Sequence, residues 1–194
     1  MKHTERKAQI KKDQILETAM KIVKKKGFNK VTMEEIAANL LMTKGSLYYY
    51  FENKSDLLFE CHKMVLQETI ERFKKILKSD QDVLKVLRGM VDAHIDSAIK
   101  EKVTFNLLIS PKDYFSEEKL MEVVKIRNQY EEMFTKVINR GMEEGKFHCK
   151  DTGLARLFIL GGMNWIQQWY NPNGRLSKEE IKDIYYHFIL KILT

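Results

Sequence analysis

Residues 43–54 hold the densest set of groups that could do chemistry: Thr43, Lys44, Gly45, Ser46, Tyr48, Tyr49 and Lys54. The chemistry they suit is recognition of a polyanion rather than bond breaking. Free backbone N–H groups at a helix start over Thr43–Ser46 suit a phosphate, helped by the helix dipole. Lys44 adds a flexible cation, and Gly45 removes bulk where the backbone nears a ligand. Ser46 can donate to, or accept from, a phosphate or a base edge. Tyr48 and Tyr49 each offer a flat apolar body and a hydroxyl, fit for thymine methyls, sugars and phosphates. Leu47 and Phe51 fall on the other side and are expected in a core.

These groups reach a duplex only if a short helix carries them, N-terminal end foremost, into the major groove. The flanking sequence supplies the support. Ile10, Ile15, Ala19, Ile22 and Val23 repeat at helical spacing over 9–26, which predicts an amphipathic helix. Lys24, Lys25 and Lys26 close it, either as a solvated face or as part of the basic surface, and Gly27 is its C-cap. Phe28 is expected to plug the small core. Thr32-Met33-Glu34-Glu35 reads as a capping box opening a second helix through Ile36, Ala37 and Leu40. Leu41-Met42 is the turn, and Thr43 caps a third helix over 44–50. Helix, short turn, helix is helix-turn-helix arithmetic. Ser55 is expected to cap a long fourth helix. Tyr50 remains open between core and contact.

Charge and composition agree. Residues 1–55 carry twelve Lys and Arg against six Asp and Glu, a net +6, whereas the remainder carries only +1. That asymmetry calls for a polyanionic partner, nucleic acid first and anionic membrane second. With two prolines and nine glycines in 194 residues, turn signals are too sparse for an all-β chain. Cys61 and Cys149 lie far apart and form no zinc pattern, which fits reduced thiols in a cytoplasmic protein. No run of about 18 apolar residues could span a membrane. The basic start MKHTERKAQIKKDQ lacks the apolar stretch of a secretory signal.

The stretch Thr32-Met33-x-x-Ile36-Ala37, then Thr43-Lys44-Gly45-Ser46-Leu47-Tyr48-Tyr49-Tyr50-Phe51-x-x-Lys54-x-x-Leu57, resembles the DNA-binding domain of the TetR family of bacterial repressors. The likeness covers about fifty residues. One departure is Leu41, where the family usually has a small residue, often glycine. The resemblance implies an all-α chain: a DNA-binding domain over 1–54, then a helical ligand-binding and dimerisation domain over 55–194. It also implies that Thr32, Lys44, Tyr49 and Lys54 anchor phosphates, that Ser46 and Tyr48 lie nearest the bases, and that Thr43 and Gly45 shape the same contact.

Residues 55–194 read as helices throughout. Asp80 or Asp82 caps one helix, Val103–Ile109 is short and apolar, and Ser116 caps a long one ending at Gly145. Asp151-Thr152 opens an apolar helix to Tyr170. Ser177-x-x-Glu180 is a capping box for the last, with Ile181, Ile184, Tyr185, Phe188, Ile189 and Ile192 on one side. The helix over 155–170 is too apolar for the surface of a monomer. It and the last helix are expected to form a homodimer interface, and a dimer reads a near-palindromic duplex. Gly161 and Gly162 there point to close approach of a backbone or a ligand.

The middle helices are expected to form an effector pocket with soft and aromatic lining: Met64, Met90, Phe105, Met121, Tyr130, Met133, Phe134 and Phe158. Its polar candidates are Asn106, Arg127, Asn128, Asn164 and Gln168, with Trp165 beside them. The stretch from Gly162 to Ser177 resembles the TetR branch of FadR-type fatty-acid and sterol-degradation repressors, which implies an acyl-CoA effector. Arg72, Lys75, Arg88, Arg127 and Arg175 are candidate partners for its phosphates. A drug-efflux repressor binding lipophilic cations is the alternative, with Glu101, Glu131 or Glu132 as the acid. The five histidines are scattered, and no nucleophile elbow, P-loop or dinucleotide loop occurs, so neither an enzyme nor a cofactor is expected.

Overall fold

The computed structural model describes residues 3–27, 30–100, 102 and 115–194. Phe28, the segment Val103–Ile109 with Phe105 and Asn106, and Glu101 lie outside the described residues. Among those described there are eight helices and no strand: α1 His3–Lys26, α2 Met33–Asn39, α3 Lys44–Tyr48, α4 Lys54–Leu77, α5 Val83–Lys100, α6 Glu117–Glu143, α7 Thr152–Trp169 and α8 Lys178–Leu193.

Helices α1 to α3 close over one small core. Ile15, Ala19 and Val23 of α1 meet Ile36 and Ala37 of α2, Leu47 of α3, and Phe51. The first turns of α4 complete it with Leu57, Leu58 and Cys61. Two local expectations change. Ile10 is 51% exposed rather than part of the apolar face, because α1 runs past the end of the core that its later turns cover. The cap of α4 is Asn53, not Ser55: its Oδ1 accepts the Asp56 N–H at 2.8 Å from an extended backbone. Gly27 ends α1 with φ +79°, as a C-cap glycine should.

The second core lies between α4 and α8. Leu66, Ile70 and Phe73 of α4 pack with Met90 of α5, Phe134 and Ile138 of α6, Ile159 and Met163 of α7, and Ile181 and Ile189 of α8. Thus α4 is shared by both cores. One face of its far half is buried in the bundle, so a single helix ties the two cores together. Asp82, Asp151 and Ser177 cap their helices, and Ser177 with Glu180 forms the full capping box. Phe147 folds back over Gly141 so closely that a Cβ on Gly141 would sit 2.0 Å from its ring.

One face of the bundle stays apolar and open. Leu154, Phe158, Trp165 and Trp169 of α7 are 46–71% exposed, and Phe188 of α8 is 58% exposed. Phe158 and Met121 (65% exposed) therefore do not line an interior pocket as expected. Gly161 and Gly162 lie on the same helix; the Gly162 carbonyl accepts the Tyr185 hydroxyl at 3.2 Å, and nothing lies within 4 Å of a Cβ on Gly161.

Candidate nucleic-acid interface and effector cavity

Of the residues expected to touch a polyanion, Thr43, Gly45, Ser46 and Tyr49 share one open surface, and Lys54 is half-buried. Thr32 caps α2, its Oγ1 accepting the Glu35 N–H at 3.2 Å. The Glu35 carboxylate pairs with Lys26 across the small core. Thr43 caps α3 in the same way, accepting the Ser46 N–H at 3.1 Å, and its hydroxyl lies 2.8 Å from the Ser46 hydroxyl. Lys44, Gly45, Ser46, Tyr48 and Tyr49 are all exposed, Tyr49 to 82%, while Leu47 beneath them is fully buried. Tyr50 is half-buried and packs against the small core. A Cβ on Gly45 would meet nothing within 4 Å, so no packing inside the chain requires glycine there.

Lys44 does not stand free. Its Nζ lies 2.5 Å from Glu34 and 5.7 Å from the Tyr48 ring centroid. The Glu34 hydrogen bond holds the Lys44 ammonium above its ordinary pKa, and the Glu34 carboxyl is lowered in turn. Both groups are solvent-exposed, so the pair is worth little and a phosphate can replace Glu34. Lys54 differs: partial burial lowers its pKa. An ammonium partly stripped of water at a surface gains more from an arriving anion.

The second core borders a cavity of about 230 Å³ between α4, α6 and α7. Leu66, Leu157, Leu160 and Gly161 line it, with Arg127, Tyr130, Glu131 and Asn164 as polar wall. Of the expected ligand residues, the structure therefore brings together Arg127, Tyr130 and Asn164. Phe134 is fully buried in the core behind, Trp165 is 60% exposed, and Gln168 faces solvent; none of these three lines the cavity. Glu131 is matched by Arg156 at 3.3 Å. Of the other candidate cations, Arg88 is held by Asp92 and Asp183, and Arg72 stands 3.9 Å from Asp96.

Behind the cavity wall sits a polar group that the sequence did not single out. His94 of α5 is 1% exposed, and its Nδ1 lies 2.6 Å from the Tyr130 hydroxyl. Burial pushes the imidazole down to about 3, while the nearby Asn164 side chain favours the charged form and opposes the shift. Burial also raises the Tyr130 hydroxyl well above its usual pKa. A neutral His94 therefore ties α5 to Tyr130 of α6 behind the cavity.

The joint between the two regions was also missed. At its N-terminal end, α6 grips the start of α4: Lys119 pairs with Asp56 at 2.9 Å and Glu122 with Lys63 at 2.5 Å. Phe59, Phe115 and Val123 form an apolar patch between these pairs. Asp56 also accepts the Glu52 N–H at 3.1 Å, in the turn just after α3. The same helix carries Arg127, Tyr130 and Glu131 one to three turns further on.

Two family models cover most of this chain. Residues 15–61 match "Bacterial regulatory proteins, tetR family", and residues 80–193 match "Tetracyclin repressor-like, C-terminal domain". The chain belongs to the TetR family. Among curated relatives, the HTH-type transcriptional repressor KstR2 of Mycobacterium tuberculosis is 25% identical over 187 residues, covering 95% of this chain and 93% of the relative. A TetR/AcrR-family regulator from Thermobifida fusca superposes with TM-score 0.82 at 26% identity, over 93% of this chain and 96% of that one. AibR, solved in complex with isovaleryl coenzyme A and operator DNA, shares the fold with TM-score 0.79 at 22% identity, over 94% of this chain and 99% of that one. TetR proteins are transcriptional regulators, so the exposed surface of α2–α3 and the cavity between α4, α6 and α7 belong to a regulator. No described helix is long and apolar enough to cross a membrane.

Proposed function

We propose that this TetR regulator is a cytoplasmic homodimeric repressor that binds near-palindromic operator DNA and releases it when a fatty acyl-CoA, or a similar CoA thioester, occupies the sensor cavity. Residues 1–54 are the reader and 55–194 the sensor and dimer domain. Thr32, Thr43, Lys44, Gly45, Ser46, Tyr48, Tyr49 and Lys54 face the duplex. The open stripe from Leu154 to Trp169, with Phe188, is the surface on which two copies meet. An exposed apolar stripe of that length needs a partner in water.

The observation that carries the effector reading is the cavity itself: leucines and a glycine on one side, and on the other Arg127, a cation with no carboxylate partner among the described residues. An acyl segment suits the first and an anionic head group the second. At about 230 Å³ the space takes an acyl group while the nucleotide stays outside. The complex of AibR with isovaleryl coenzyme A supports this class of ligand. Glu131, the one acid on the wall, is already neutralised by Arg156, which disfavours a lipophilic cation.

Effector binding works on α6. Arg127 and Tyr130 take up the ligand, and the Lys119–Asp56 and Glu122–Lys63 pairs carry the displacement to the start of α4 and to the turn after α3. The effector must prefer the conformation that does not bind DNA, or it shifts nothing. Thermal denaturation with acyl-CoAs of graded chain length tests the ligand class. A rise in Tm with acyl-CoA and none with free CoA is expected; no rise with any member rejects the class.

A further inference from the structure

Leu41 combines two properties that rarely meet. It is the one non-glycine residue among those described with positive φ, at 53°. Its side chain is 98% exposed. The left-handed region disfavours any residue with a Cβ, and leucine lacks the short polar side chain that lets Asn or Asp tolerate it. No burial inside the chain offsets that strain. The left-handed conformation ends α2, with the Leu41 N–H on the Ala38 carbonyl at 3.1 Å and the Met42 N–H on the Ala37 carbonyl at 2.9 Å; glycine would serve that turn at no cost, so the turn does not account for the leucine side chain. Leu41 shares an open depression of about 640 Å³ with Lys11, Met42, Thr43, Gly45, Ser46, Tyr49 and Tyr50. Around it stand one cation, two hydroxyls, two phenols and the half-buried Met42, so Leu41 is the one fully exposed aliphatic side chain of this face.

We propose that Leu41 is a further DNA contact of the reader, its isobutyl group packing on the apolar surface of the duplex, either thymine methyl groups or deoxyribose. The inference rests on the operator-binding reading and adds a residue to it. Helix α3 supplies charge and hydrogen bonds, while the turn before it supplies an apolar contact that polar groups cannot replace.

The test uses the full-length protein and duplexes that it selects from a random-sequence pool. Leu41→Gly relieves the strain, so its Tm should equal that of the parent or exceed it by about 2–4 °C. Its affinity for the selected duplexes should fall about fivefold to tenfold, the factor expected when part of one leucine is no longer buried. Leu41→Asn, which tolerates the backbone but is polar, should lose affinity to the same degree, and Leu41→Met should keep it within about twofold. Uracil substitution distinguishes the two apolar sources. With a methyl contact, replacing one thymine costs the parent the same factor and costs Leu41→Gly nothing. With a sugar contact, uracil changes nothing, and Leu41→Gly loses equally on selected and unselected duplexes. Parental affinity and unaltered site preference in a stable Leu41→Gly overturn the proposal. Failure of the parent to bind any duplex at low ionic strength overturns the operator reading beneath it, a different and separately visible result.

Discussion

The reader and the sensor solve opposite problems with the same element type. In the reader the working side chains face outward from short helices, and one small core of Leu47, Phe51 and Ile36 fixes them from below. In the sensor the working groups face inward and are gathered from several helices: Arg127 and Tyr130 from α6, Asn164 from α7, with His94 of α5 behind them. An outward-facing site tolerates water and needs only position. An inward-facing site strips water from the groups it buries, which is why His94, with its Nδ1 on the Tyr130 hydroxyl, is held neutral. The difference separates their sensitivities: the reader responds to salt and charge, the sensor to packing and hydrogen-bond pairing.

The largest expected effect concerns the proposed dimer, which would join two readers. Phe158→Glu places a charge in the apolar stripe of α7; it should yield a monomer in analytical ultracentrifugation and lower operator affinity about 100-fold or more, because simultaneous binding of two half-sites is lost. An unchanged dimer would move the interface elsewhere. Next, Lys44→Ala should weaken binding to all duplexes about tenfold and reduce the salt dependence by about one phosphate contact, with the cavity unaffected. Arg127→Gln should do the converse: effector binding falls about tenfold with operator affinity intact, read by calorimetry and fluorescence anisotropy. A variant on one side that disturbs both functions would erase the distinction.

Between them, Lys119→Met should leave each affinity alone and cut the effector's power to release DNA about fivefold, because it removes the α6 grip on Asp56. The smallest effect is on stability with pH. His94 titrates near 3 in the folded chain, below its usual 6.5. Between those values the unfolded chain binds more protons, so the stabilisation is whole above pH 6.5 and declines as pH falls, by up to about 1.4 kcal/mol per unit. Thermal scans from pH 7.5 to 5.5 should show Tm falling, and His94→Gln should flatten the fall.

Legibility followed the same division. The reader was readable because its signals are local: Thr32 and Thr43 cap within three residues, and Gly27 ends its helix within the segment that announces it. Even there, Asn53 displaced Ser55 as a cap, since both residue types can cap a helix and only the backbone dihedrals separate them. The sensor was read only in part. Arg127 and Tyr130 lie three residues apart on one helix face, so spacing could join them, and Asn164 stood out as an amide in an apolar helix. Trp165 and Gln168 turned outward, because a helix apolar over most of its circumference does not say which face meets its own bundle. His94, thirty-six residues from Tyr130, left no local sign of their contact. The Lys119–Asp56 pair was hidden for the same reason.

The link between the two regions is tested most directly by titrating the operator-bound protein with an acyl-CoA series while following DNA anisotropy. Release of DNA by at least one acyl-CoA is expected, with free CoA inert and the midpoint displaced to higher concentration in Arg127→Gln. Operator affinity that stays constant across the whole series, with acyl-CoA shown by calorimetry to be bound, would contradict the coupling of sensor to reader.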